Sequence, residues 1–158
     1  MGKIDELDRK ILRLLQRDAD ISVEELGTQV GLSRNACWRR IKNLEDNGII
    51  SKTVALINPE AINLNLAAIV TVRATRHDSE WLKQFQSAVN TMPEIIGVYR
   101  TSGTIDYVLH ARVRDMAAYD ALYKRLISKV DLMDVSTSFV MEEVKHTTEL
   151  PLDHADQS

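Results

Sequence analysis

The sequence predicts an α+β chain, a winged helix-turn-helix followed by a ferredoxin-like βαββαβ domain, and three observations carry that prediction. Ser22 and Ser33 each mark a helix start and Gly31 a helix stop between them, so two short helices are joined by a tight turn. Residues 49–57 are rich in β-branched side chains and partly alternate, as a strand beside the helices would. From Leu66 onward, apolar runs with strand character are interleaved with two amphipathic helical stretches in the order βαββαβ.

The chain has 158 residues and 44% hydrophobic content, enough for two small domains or one of ordinary size, and too much for a disordered chain. A formal net charge of −3 argues against a protein that coats nucleic acid nonspecifically. Residues 1–57 hold 10 basic and 9 acidic side chains and residues 58–158 hold 10 and 14, a modest contrast. What stands out is local: Arg34, Arg39, Arg40 and Lys42 are concentrated on one short helix. A single cysteine excludes an intrachain disulfide, and the opening residues do not resemble a basic, apolar, cleavable export signal. No apolar run approaches the ~20 residues needed to span a bilayer. No membrane association and a cytoplasmic location are therefore expected.

The first domain is placed at residues 1–57. Leu7, Ile11, Leu14 and Leu15 form the stripe of an amphipathic helix from about Asp5 to Arg17. Asp18-Ala19-Asp20 is a polar connection, and Ile21 is placed to staple the start of the second helix, where Ser22 and Glu25 form a capping box. Gly31 ends that helix, Ser33 caps the third and Gly48 closes it. On the third helix Cys37, Ile41 and Leu44 share one stripe, Asn35, Arg39 and Lys42 lie opposite, and Arg34 and Trp38 flank the outward face. Arg can bridge the two acceptors of guanine, Asn can pair with adenine, and Lys suits phosphate. Ser33, Arg34, Asn35, Trp38, Arg39 and Lys42 are thus the candidate contacts to double-stranded DNA. A solvated polar face is the alternative for the helix alone; the preceding helix and its short turn favour DNA. The predicted strand over 49–57 makes the unit a winged type. Lys52 is either a phosphate contact or a plain exposed lysine, and Trp38 either a DNA contact or a side chain packed beside the wing.

Asn58-Pro59, Asn63 and Asn65 punctuate a linker over 58–65, and the second domain is placed at residues 66–152. Its predicted elements are a strand over Leu66–Thr75, a helix over Ser79–Met92, strands over Ile95–Arg100 and Ile105–Val113, a helix over Asp115–Ser128 and a last strand over Val135–Lys145. Both helices fall on one sheet face, leaving the other in need of cover. An apolar uncovered face favours dimerisation, which gives two DNA-reading helices the two-fold relation of a pseudo-palindromic site. Residues 153–158 are expected to be a frayed polar tail.

The segments LSRNACWRRIKNLEDNGII, TSGTIDYVL and DVSTSFVMEEVKHTTELP, in that order, resemble the Lrp/AsnC family of feast/famine transcriptional regulators, and the resemblance runs from about Ile4 to Leu152. It implies a second domain of the family's RAM type and a dimer that assembles into larger discs, often octamers. It further implies DNA binding through the N-terminal domain and amino-acid sensing at interfaces between C-terminal domains. The family's effector pocket matches Gly103, Thr104, Ile105, Asp106 and Tyr107, with Asp134, Ser136, Thr137 and Ser138. Asp106 can accept from a ligand ammonium, while backbone N–H groups near Gly103 and the hydroxyls of Thr137 and Ser138 can donate to a carboxylate. Alternatively Gly103 serves a turn, Asp106 bonds its own turn, and the Ser/Thr run is a polar strand face. The Cys37-Trp38 pair, Ser79-Glu80-Trp81, Met92-Pro93-Glu94 and Lys145–Pro151 are most similar to the branch that responds to cysteine.

The functional expectation is a sequence-specific transcriptional regulator whose assembly and operator binding respond to a small amino acid, with no other cofactor. One rival is a sequence-tolerant DNA-organising protein, expected to show steep salt dependence and no response to amino acids. The other is an amino-acid-binding regulatory subunit of a metabolic enzyme. Against an enzyme, the chain has no Gly-rich phosphate loop, nucleophile motif or metal cluster, and no catalytic residue is predicted. His77, His110, His146 and His154 lack metal-ligand spacing, so no metal is expected. Cys37, on the inward stripe, reads as a small buried apolar residue in preference to a redox group.

Overall fold

A computed structural model describes residues 4–153. The chain divides into two compact units: the described residues of Met1–Ala55 and Lys145–Ser158 form one, and Leu56–Val144 the other.

The first unit is built on three helices, α1 (Glu6–Arg17), α2 (Val23–Val30) and α3 (Arg34–Asp46). Asp5 and Asp8 make a full capping box at the start of α1, each carboxylate accepting from the other's backbone N–H. Ser22 caps α2 by accepting from the Glu25 N–H, and Ser33 caps α3 by accepting from Ala36 N. Ile11, Leu26, Cys37 and Leu44 are at most 1% exposed and form the centre of this core.

No wing strand forms over 49–57. The backbone N–H groups of Ile49 and Ile50 instead donate to Leu44 O at 2.9 and 3.1 Å, closing the end of α3, and both side chains join the helical core. Residues 51–58 then form neither helix nor strand, leaving Val54, Leu56 and Ile57 largely exposed. β-branched composition favours a strand only where a neighbouring backbone completes it, and none among the described residues lies alongside. The linker holds one 3-10 turn, Glu60–Ile62.

The second unit follows the order β1 (Leu66–Ala74), α4 (Ser79–Asn90), β2 (Ile95–Arg100), β3 (Tyr107–Val113), α5 (Met116–Lys129) and β4 (Leu132–Phe139). The sheet is antiparallel in the order β2-β3-β1-β4. Ala68, Val70 and Val72 of β1 sit opposite Ala111, Leu109 and Tyr107 of β3 and point toward the helices. There they meet Trp81, Phe85, Ala88 and Val89 of α4 and Leu122 and Leu126 of α5. Period-two alternation places the intervening residues on the other face, where Ile69 lies between His110 and Ser138, and Thr71 between Val108 and Ser136.

The last strand starts earlier and ends sooner than the β-rich stretch 135–145 suggests. Its partner β1 ends at Leu66, so the pairing stops at Ala68 opposite Phe139, with one further bond from Val140 N to Ala67 O. The following extended chain belongs to the first unit from Lys145 on, although sequence reasoning assigned residues 145–152 to the second domain. Leu150 exchanges bonds with the Gln16 amide, donating to Oε1 at 2.6 Å and accepting from Nε2 at 3.3 Å. Arg17 pairs with Glu149 at 3.0 Å, and Leu152 packs on the helical core. Of the tail expected to fray, Asp153 pairs with Arg13 at 3.2 Å; residues 154–158 lie outside the described residues.

Candidate nucleic-acid interface and effector site

The turn between α2 and α3 is set by two glycines. Gly31 takes the left-handed conformation at φ 75°, which frees the chain to leave α2 at once. Gly27 permits close approach: a Cβ there would stand 2.8 Å from Leu32 O and 3.6 Å from the Cys37 Cβ. With α2 held this tightly, α3 presents a fixed outer side. Gly27 was missed in the sequence, because a glycine inside a helical pattern carries no sign of what it touches.

The six candidate DNA contacts, Ser33, Arg34, Asn35, Trp38, Arg39 and Lys42, are all exposed. Trp38, 56% exposed, is the large apolar member of the group. Cys37 and Leu44 on the opposite stripe are 0% and 1% exposed, so the helix is two-sided as its periodicity predicts. Ser33 also serves as the cap of α3, its side-chain oxygen occupied by Ala36 N. Among the described residues Arg34 and Arg39 form no ion pair. Lys42 is held within its own helix by Asp46 at 3.1 Å and Glu45 at 3.6 Å, which raise its pKa, the hydrogen bond to Asp46 foremost.

Arg40 belongs to the scaffold. Its Nη1 donates to Asp5 Oδ2 at 2.7 Å and to Asp8 Oδ1 at 2.8 Å, tying α3 to the start of α1. Asp8 is a buried charged residue, and this pairing with Arg40 is what makes its burial tolerable. The acid pair three residues apart at a helix start was the available signal, but its cation lies 32 residues downstream.

The residues matched to an effector pocket separate into three groups. Gly103, Thr104, Ile105 and Asp106 form the β2–β3 turn, with Gly103 at φ 132°. Within it Asp106 is already engaged: Oδ2 accepts from Ala74 N at 2.8 Å and its own N–H donates to Val72 O at 3.0 Å. Tyr107 is 7% exposed and packs into the core, its ring centroid 4.6 Å from that of Phe85. On β4, Asp134, Ser136 and Ser138 share the uncovered face, opposite Arg73, Thr71 and Ile69. Thr137 is on the helix side, where its hydroxyl bonds the Tyr119 hydroxyl. One chain therefore brings together the turn and, separately, the three exposed strand residues; Tyr107 and Thr137 face inward.

Comparison with known proteins matches the AsnC-type helix-turn-helix domain over residues 4–45 and the Lrp/AsnC ligand binding domain over residues 67–150. The chain is 49% identical over 150 residues to a glutamate uptake regulatory protein of Zymomonas mobilis, covering 95% of this chain and 92% of the relative. It is 45% identical over 151 residues to the DNA-binding transcriptional activator DecR of Escherichia coli, covering 95% and 99%. A transcriptional regulator from Neisseria meningitidis, solved as an L-Met complex, superposes with a TM-score of 0.91 at 38% identity, covering 95% of this chain and 97% of that one. The chain belongs to the Lrp/AsnC family: it is a DNA-binding transcriptional regulator with an N-terminal helix-turn-helix and a C-terminal ligand-binding domain, not an enzyme.

Proposed function

We propose that the outward side of α3 reads a pseudo-palindromic operator in double-stranded DNA, through Arg34, Asn35, Trp38 and Arg39, with Ser33 and Lys42 toward the backbone. The observation that carries this reading is that these residues are exposed together while Arg40, on the same helix, is turned away and paired. Two copies joined through the uncovered sheet face supply the two-fold relation that such an operator requires. Further association of dimers, to an octamer or a comparable disc, multiplies the α3 helices on offer. The protein works in the cytoplasm, where its DNA is.

The ligand is a small amino acid, which the turn 103–106 and the exposed residues Asp134, Ser136 and Ser138 contact at a junction between copies. The L-Met complex of the Neisseria relative supports the ligand class. The sequence resemblance makes cysteine the first amino acid to test. A ligand alters regulation only through unequal affinity for two assemblies, so the mechanism requires a shift in subunit number or spacing on binding. Footprinting on promoter DNA, with subunit mass measured in parallel, tests the proposal. Paired protected segments about one helical turn apart support it, and uniform protection without preferred sites contradicts it.

A further inference from the structure

At the end of the sheet where β1 runs into α4, the second unit opens into a cleft of about 250 Å³. Its rim carries Arg76 and His77 from the β1–α4 connection and Arg100 from the end of β2; its floor is Trp81, Leu82 and Tyr107. The floor is rigid. Trp81 and Tyr107 are 1% and 7% exposed, they pack with Phe85 in one aromatic cluster, and the Trp81 Nε1–H is fixed on Asp131 O at 2.7 Å.

The charges are unequal. Asp78 is the acidic residue in the lining, and both its oxygens are engaged: Oδ1 accepts from Trp81 N at 2.8 Å and Oδ2 lies 3.7 Å from Arg76. Asp106, outside the lining, bonds Ala74 N through Oδ2, while Oδ1 is 3.9 Å from His77. Arg100 has no ion-pair partner among the described residues, so the cleft keeps one uncompensated guanidinium above an apolar floor. A planar guanidinium beside an aromatic wall is a fork for a carboxylate that carries a short apolar body.

From this arrangement we infer that the cleft is a binding site for a small carboxylate of single net negative charge, held by Arg100 with help from Arg76. The cleft lining excludes the turn 103–106 and the exposed face of β4, and of the residues matched to an effector pocket it includes Tyr107 alone; the inference stands whether or not an amino acid controls DNA binding. Two sources share this chemistry: an acidic amino acid, and a 2-oxo acid that lacks the ammonium.

Trp81 provides a local reporter, because the chain has two tryptophans and Trp38→Phe leaves Trp81 as the sole one. The full-length Trp38→Phe protein is titrated with L-glutamate against L-glutamine, and with 2-oxobutyrate against butyramide, following Trp81 emission. The inference predicts that at least one charged probe binds about tenfold or more tightly than its neutral counterpart. It further predicts that Arg100→Gln removes the difference, and that Arg76→Gln reduces it, at unchanged melting temperature. Preference for glutamate identifies an acidic amino-acid site, and preference for 2-oxobutyrate identifies an oxo-acid site. Equal binding of charged and neutral probes, or a preference that survives Arg100→Gln, overturns the inference.

Discussion

Arg40 Nη1 stands 2.8 Å from Asp8 Oδ1, so this arginine of α3 holds that helix to α1. Arg40→Met is expected to leave the Asp8 carboxylate buried without its cation and to destabilise the helical unit by about 1–3 kcal/mol. Urea unfolding followed by helical ellipticity measures this. A loss under ~0.5 kcal/mol would show that the pair contributes no more than a surface ion pair.

The same junction sets an acid sensitivity. The Asp8 backbone N–H, and after it the Arg40 guanidinium, hold the Asp5 carboxyl below its ordinary range. A depressed folded value means stability that is present at pH above the unfolded value, near 4, and lost as the pH falls through the lower folded value. Stability of wild type and Asp5→Asn should therefore converge between about pH 4 and pH 2, with the wild type ahead at pH 7. Curves that remain parallel down to pH 2 would contradict the assignment.

Arg39 is the counterpart of Arg40, exposed where Arg40 is tied down. Arg39→Ala is expected to leave stability within about 0.5 kcal/mol of wild type, as an exposed substitution does. It should weaken operator binding by about 1–3 kcal/mol for each α3 helix engaged. Fluorescence anisotropy with an operator fragment at fixed salt reads the effect, and unaltered affinity would remove Arg39 from the interface.

Cys37 is fully buried, and burial pushes its thiol pKa up. The native thiol is expected to react with iodoacetamide at least ~100-fold more slowly than the unfolded chain, since the thiolate is the nucleophile. Mass spectrometry over time decides this. Rapid native alkylation with loss of DNA binding would reopen a redox role.

The helix-turn-helix was legible because its signals are local. Ser22, Gly31 and Ser33 act within three or four residues: both serines cap their helices and Gly31 ends α2, although the return bond from the Ser22 N–H to Glu25 that a capping box adds is not formed. The strand pairs of the second unit were legible through alternation: Ile95–Arg100 has the predicted bounds. The wing was not, because Val54, Leu56 and Ile57 have strand chemistry but pair with no strand among the described residues. The placement of 145–152 depends on Gln16 and Arg17, about 130 residues away, and no periodicity reports such a partner. In the effector region the residue types were read from sequence, but which way each faces was not. Thr137 and Ser138 are neighbours on opposite sheet faces, and only the register with Val70 and Ile69 tells them apart. Arg76 and Arg100 drew no notice because 24 positions separate two residues that the fold brings to one cleft.

Affinity for one operator fragment, measured at fixed salt with and without each of the twenty amino acids, tests the regulatory account most directly. Coupling between ligand and DNA predicts that at least one of them, cysteine first, changes Kd about fivefold or more and shifts the mass of the assembly in the same titration. A Kd and a mass unmoved by all twenty would leave a DNA-binding protein without an amino-acid switch.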